Sequence, residues 1–212
     1  MNTRQLSMMA AGCILACVLA TAHAQGNRFK PIAEGDMTDA QKQAVKDMQT
    51  GLRGNFNWNG PNALLLRSPE LLSRTQRVGE HLRYKSSIPP RLSEFAILIT
   101  ARRWDAQGEW LAHQALAEKA GIAATTIDDL KQGKRPGAMK EDEALVYQFV
   151  TELHATKTVS DAVFNAAKQK FGEQGVIDLT AITGYYTMLA MVLGVAGNPV
   201  PAGVTPPLPV IK

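Results

Sequence analysis

The sequence predicts an all-α fold, a compact multi-helix bundle with no sheet, and three observations carry that expectation. Apolar residues recur at three- and four-residue spacing over most of the chain. Capping pairs, prolines at starts and glycines at ends bracket those stretches. No alternating strand run, internal repeat or low-complexity segment competes with them.

The chain opens on a segment read as a processing signal. Residues 1–24 carry one charge, Arg4, followed by an apolar run from Met8 to Ala20 and the small-residue sequence Ala22-His23-Ala24. A secretory signal peptide cleaved after Ala24 is expected, placing the mature protein in the periplasm or outside the cell. That assignment fits better than lipid attachment at Cys17, because Leu15 suits a lipoprotein box poorly. The two cysteines of the chain, Cys13 and Cys17, both fall inside the segment. A mature chain running 25–212 therefore has no thiol for a disulfide, a thiolate metal site or a peroxidase centre.

The rest is expected to be one helical domain with a proline-rich tail. The whole chain has a formal net charge of +4 and is 45% hydrophobic. It holds no Lys/Arg run long enough to suggest nucleic-acid binding. Thr38 with Gln41 three residues on predicts a capping box and a helix to about Gly51. The Gly- and Asn-rich stretch from Gly51 to Gly60 reads as a loop holding Phe56 and Trp58. Ser68-Pro69 opens a helix to about Tyr84. Pro89-Pro90 then breaks the chain.

The next stretch, Glu94 to Gly121, organises the remainder. Leu92, Phe95, Ala96 and Ile99 form one helical face, and Ile97 and Leu98 widen it until the segment must be nearly all buried. A corner at Trp104 to Gly108 follows, with Asp105 expected to cap the second helix, which Gly121 closes. Glu109 and His113 are four residues apart and share a face, within reach of Glu94. Three titratable groups near one point are a candidate catalytic site. Trp110 reads as core packing. His81, His154 and Tyr186 are expected in ordinary solvated or core roles, and Tyr185 is kept as a pocket-lining candidate.

Beyond Gly121, Thr125 to Leu130 predicts one or two helical turns ended by Gly133, and Lys134 to Gly137 is a loop. Leu145, Phe149 and Leu153 mark a helix whose acidic start, Glu141-Asp142-Glu143, suits the helix dipole. Ser160 is expected to cap a helix that Gly172 ends. The last helix, about Gln174 to Ala196, is the most apolar segment after the leader, and Gly197-Asn198-Pro199 stops it. Its composition admits a membrane span, but a buried or interfacial core helix fits its Asp178, Thr180 and Thr183 better.

Glu94, then Glu109-Trp110-x-x-His113, then Ala117 to Gly121 resembles the carboxymuconolactone decarboxylase family, relatives of the alkylhydroperoxidase D type. The likeness runs from about Leu66 through Tyr186. In the hydroperoxidase branch a Glu precedes Cys-x-x-Cys and a His, and those positions fall on Glu94, Ala106, Glu109 and His113. The resemblance therefore implies no thiol peroxidase. It implies Glu94, Glu109 and His113 as catalytic residues in acid–base chemistry, such as decarboxylation of a small carboxylated lactone or ring acid. It also implies a homo-oligomer, trimer or hexamer. Enzymes of that aromatic-acid pathway are cytosolic, so an exported member points to another substrate or task. The second reading, a non-enzymatic oligomeric small-molecule-binding protein, stays open. Glu94, Glu109 and His113 have the ligand types of a divalent-ion site, but no His-Glu-x-x-His sequence is present, and neither a metal nor a cofactor is expected.

Overall fold

The structure, a computed structural model, describes residues 28–197 and 200–211. Among the described residues it is all-helical, with eight α-helices and no strand. The leader, with its expected cleavage site, lies outside the described residues, as do Asn198 and Pro199 of the expected stop.

After a short 3-10 turn at Glu34–Asp36, α1 spans Asp39–Thr50. The expected capping box is formed: Gln41 N donates to Thr38 Oγ1 at 3.3 Å and Thr38 N to Gln41 Oε1 at 2.9 Å. The Gly51–Gly60 stretch is a loop in which buried Phe56 meets Trp58 edge-on, with ring centroids 4.6 Å apart. A short helix that the sequence reading did not anticipate, α2, occupies Pro61–Leu65, with Pro61 supplying the fixed φ of a first helical position. α3 runs Pro69–Tyr84 as expected.

At the centre stands α4, Pro90–Arg103, with ten of its 14 residues buried. It packs against α5 (Gln107–Ala120), α7 (Glu141–Thr156) and α8 (Asp161–Val195). Arg91 near its start is clamped by Asp142 and Glu143, so those acids join two helices as well as facing a helix dipole. α6 spans Ala124–Lys131 between α5 and α7.

Two expected caps are not formed. Asp105 adopts φ 48, one of two non-glycine residues in the left-handed region among the described residues, and the N-cap of α5 is Ala106 without a side-chain bond. The tight corner demands that conformation, which Asp tolerates better than most residues. It turns the carboxylate back to Arg102, 3.3 Å away. Ser160 likewise makes no side-chain cap; its backbone N–H donates to Glu152 Oε2 at 2.8 Å. Gly121 does close α5, at φ 99.

Gly172 breaks α8 sharply, at φ 72 and ψ 176, so the two expected helices are the two arms of one helical run. The second arm is long and apolar enough to cross a membrane by length and composition, and 56% of that window is buried within the protein. Its buried side packs on α2, α4 and α7. Asp178 on this arm accepts hydrogen bonds from Ser87 N and Oγ, both at 2.8 Å, and from Ser86 Oγ at 3.3 Å. Burial works against its charge, but these bonds outweigh it and hold the carboxyl below its usual range. They fix the α3–α4 link to α8.

The tail continues without helix, as expected. Gln107 at the start of α5 pairs with Leu208 in both directions, Nε2 to O at 3.1 Å and N to Oε1 at 2.8 Å. Arg102 Nη1 donates to Pro209 O at 3.1 Å, and Leu208 is buried. The tail is thereby strapped to the corner that precedes Glu109.

Candidate functional site

α4 and α5 bring the three expected residues together. Glu94 faces α5 from the first half of α4; Glu109 and His113 lie one turn apart on α5. His113 Nδ1 is 2.6 Å from Glu94 Oε2, and His113 Nε2 is 3.5 Å from Glu109 Oε2. The side chains of Glu94, His113 and Glu109 are 13%, 6% and 4% exposed, so the imidazole is held nearly dry between two carboxyl groups.

The two carboxyls sit in unlike surroundings. Glu94, the more exposed, lies at hydrogen-bond distance from Nδ1, where a carboxylate accepts from a ring N–H. Glu109 is pushed up from the usual carboxyl range by burial, against the opposing charges of His113, Arg83 and Arg53. Glu109 thus tends to keep its proton where Glu94 faces a donor. A proton can pass between Glu109 and Nε2 after a small approach, while Glu94 holds the ring by its other side.

Glu109 and His113 line a cavity of about 630 Å³. Tyr186 closes it behind the imidazole, edge-on at 5.0 Å between ring centroids and 86°. Burial drives the Tyr186 hydroxyl well above its ordinary range, so it stays protonated. The opposite wall is the loop between α1 and α2, which contributes Arg53, Trp58 and several asparagines.

The lining candidate Tyr185 is not on the cavity wall, whereas Tyr186 is. Tyr185 lies behind it, 5.4 Å away between ring centroids, with its hydroxyl over Gly79 of α3. Trp110 is fully buried packing, its Nε1 donating to Gln114 Oε1 at 2.8 Å. His81 lies 3.8 Å from Asp178, and His154 lies 3.3 Å from Thr100 Oγ1, both away from the cavity. Sequence reading missed Arg53 and Arg83, which line the cavity from a loop and a helix far upstream.

The carboxyls occupy opposite ring nitrogens and do not converge. Among the described residues no group of three His, Cys, Asp or Glu side chains is arranged to hold a metal ion. Compared with protein-family models and with curated proteins, the chain finds no match.

The raised Glu109 predicts a pH signature. Below the unfolded carboxyl value, about 4.3, both states hold the proton. As pH rises past it, the unfolded chain releases the proton first, and folding loses stability until the folded value is passed. Glu109→Gln carries no titrating proton. Its stability relative to wild type, from denaturant unfolding, should therefore climb from pH 4 to pH 7.5. A flat or falling difference would contradict the assignment.

Proposed function

We propose that this protein is an acid–base enzyme of the carboxymuconolactone decarboxylase type, acting on a small carboxylated lactone or related ring acid. The observation that supports it is the imidazole of His113 held between Glu94 and Glu109 at the wall of a substrate-sized cavity. In decarboxylation the bond from the ring carbon to the carboxylate breaks and carbon dioxide leaves. The electron pair stays on carbon, spread into an adjacent carbonyl as an enolate, until a proton quenches it. The proton passes from neutral Glu109 to bare Nε2 of His113 and from Nε2 to the carbanion, while Glu94 positions the ring. Thiol peroxidase chemistry has no place in this reading, since the described residues include no cysteine.

The leader and the surface add two parts to the proposal: export with cleavage after Ala24, and a homo-oligomer of three or six chains. Exposed Ile177, Met191 and Val195 on the outer side of α8 support the second. Intact mass and light scattering of the exported protein should give chains beginning at Gln25 in assemblies of three or six. A chain retaining Met1, lipid on Cys17, or a monomer would contradict the corresponding part.

The reaction is tested by carbon dioxide release from a panel of carboxylated γ-lactones and ring acids. His113→Gln should cut turnover about a hundredfold or more, the range of a general acid. Its melting temperature should move by no more than about 2 °C. Unchanged turnover with a melting loss of several degrees, equivalent to about 1–2 kcal/mol, would make the cluster structural. No turnover by wild type would leave the binding-protein reading.

A further inference from the structure

We propose that Arg53 and Arg83 form a carboxylate subsite on the wall of the same cavity, holding an anionic end of the ligand while its ring faces Glu109 and His113. This rests on the acid–base reading for its orientation, and on separate residues for its chemistry.

Both arginines line the cavity with Glu109 and His113. Arg74, Arg91 and Arg102 are each within 4 Å of a carboxylate: Glu70 for the first, Asp142 and Glu143 for the second, Asp105 for the third. Among the described residues, no such ion pair exists for Arg53 or Arg83. Arg53 Nε is buried with no hydrogen-bond partner, and so is Oδ1 of Asn62, on the same cavity wall. A buried donor of this kind is costly unless something accepts from it.

The fold also aims these groups. A Cβ at residue 79 would overlap both Arg53 Nη2 and the Tyr185 hydroxyl, so buried Gly79 is where the guanidinium lies against the α3 backbone. Arg83 is four residues further along the same helix, on the same face. Arg53 is therefore carried from its loop to the stripe of α3 that bears Arg83. Glu109 is close enough to feel both charges, but its burial favours the protonated form, which cannot neutralise them. Two half-buried guanidinium forks that no protein carboxylate neutralises suit a planar carboxylate, which each fork meets through two parallel bonds.

Calorimetric titration of the full mature chain with benzoate, benzamide and phenylphosphonate at low salt tests this. Benzoate should bind, and benzamide, of the same shape without the charge, should bind roughly tenfold to a hundredfold more weakly. Arg53→Gln and Arg83→Gln should each remove that preference. Arg53→Lys should retain part of it, and Arg77→Gln, an exposed position on α3, should retain all of it. Equal affinity for benzoate and benzamide would overturn the subsite, and tighter binding of phenylphosphonate would overturn the carboxylate assignment. Arg53→Gln and Arg83→Gln variants that keep both benzoate affinity and turnover would end the subsite while leaving the acid–base reading intact. Charge-selective binding that follows the arginines, beside unchanged turnover in His113→Gln, would end the acid–base reading and leave the subsite standing.

Discussion

Placing an imidazole and two carboxyl groups inside an apolar helix pair costs free energy unless each polar atom meets a partner, and that requirement governs the geometry of this molecule. Between Leu92 and Arg102 of α4, Glu94 is the one residue that is not buried. For His113 to meet Glu94 at 2.6 Å, α5 must leave the corner at one angle and register. Asp105 in the left-handed region sets the turn, and the Leu208 strap on Gln107 holds the first residue of α5, two before Glu109. Arg91 clamps the other end of α4 to α7. Each tie lies outside the cluster, yet each narrows where its side chains can be.

The same dryness that makes the cluster costly gives it chemical asymmetry. Two carboxyls flank one ring, and their surroundings separate them: Glu109 is driven toward its neutral form by burial, whereas the more exposed Glu94 lies 2.6 Å from Nδ1. Two unlike carboxyls on opposite nitrogens of one imidazole are what the proposed directional proton transfer requires. Tyr186 backs the ring with an aromatic edge and a hydroxyl that burial keeps protonated. The cavity beyond it is polar on the arginine and asparagine side, where the proposed carboxylate subsite lies.

Features of local origin were legible in the sequence. The Thr38 box, Pro69, the Pro89-Pro90 break and Gly121 are short-range signals, and each is present. Glu109 and His113 were legible for the same reason, since four-residue spacing is enough to pair them. Glu94 needed only the inference that a buried helix carrying a carboxyl must give it a partner. What escaped notice depends on tertiary placement. Arg53 and Arg83 reach the cavity only because α1 packs on α3 and α3 on α8, and no spacing along the chain encodes that. Tyr185 and Tyr186 are neighbours about 100° apart around a helix, so choosing the lining residue required the packing of α5 against α8. Asp105 has a side chain well suited to capping, but the corner claimed its backbone for a conformation that turns the carboxylate toward Arg102. α2 is five residues long, too short for periodicity to register.

The proposed acid–base role requires that Glu94 hold the ring through an Nδ1 proton and leave Nε2 facing Glu109. Long-range proton–nitrogen NMR on the mature protein, with His113 assigned by loss of its signals in His113→Gln, reads that tautomer directly. With the ring neutral, Nδ1 should give the signal of a protonated, pyrrole-like nitrogen and Nε2 that of a bare, pyridine-like one. The reverse pattern, with the proton on Nε2, would leave Glu94 opposite an unprotonated nitrogen and would contradict the account.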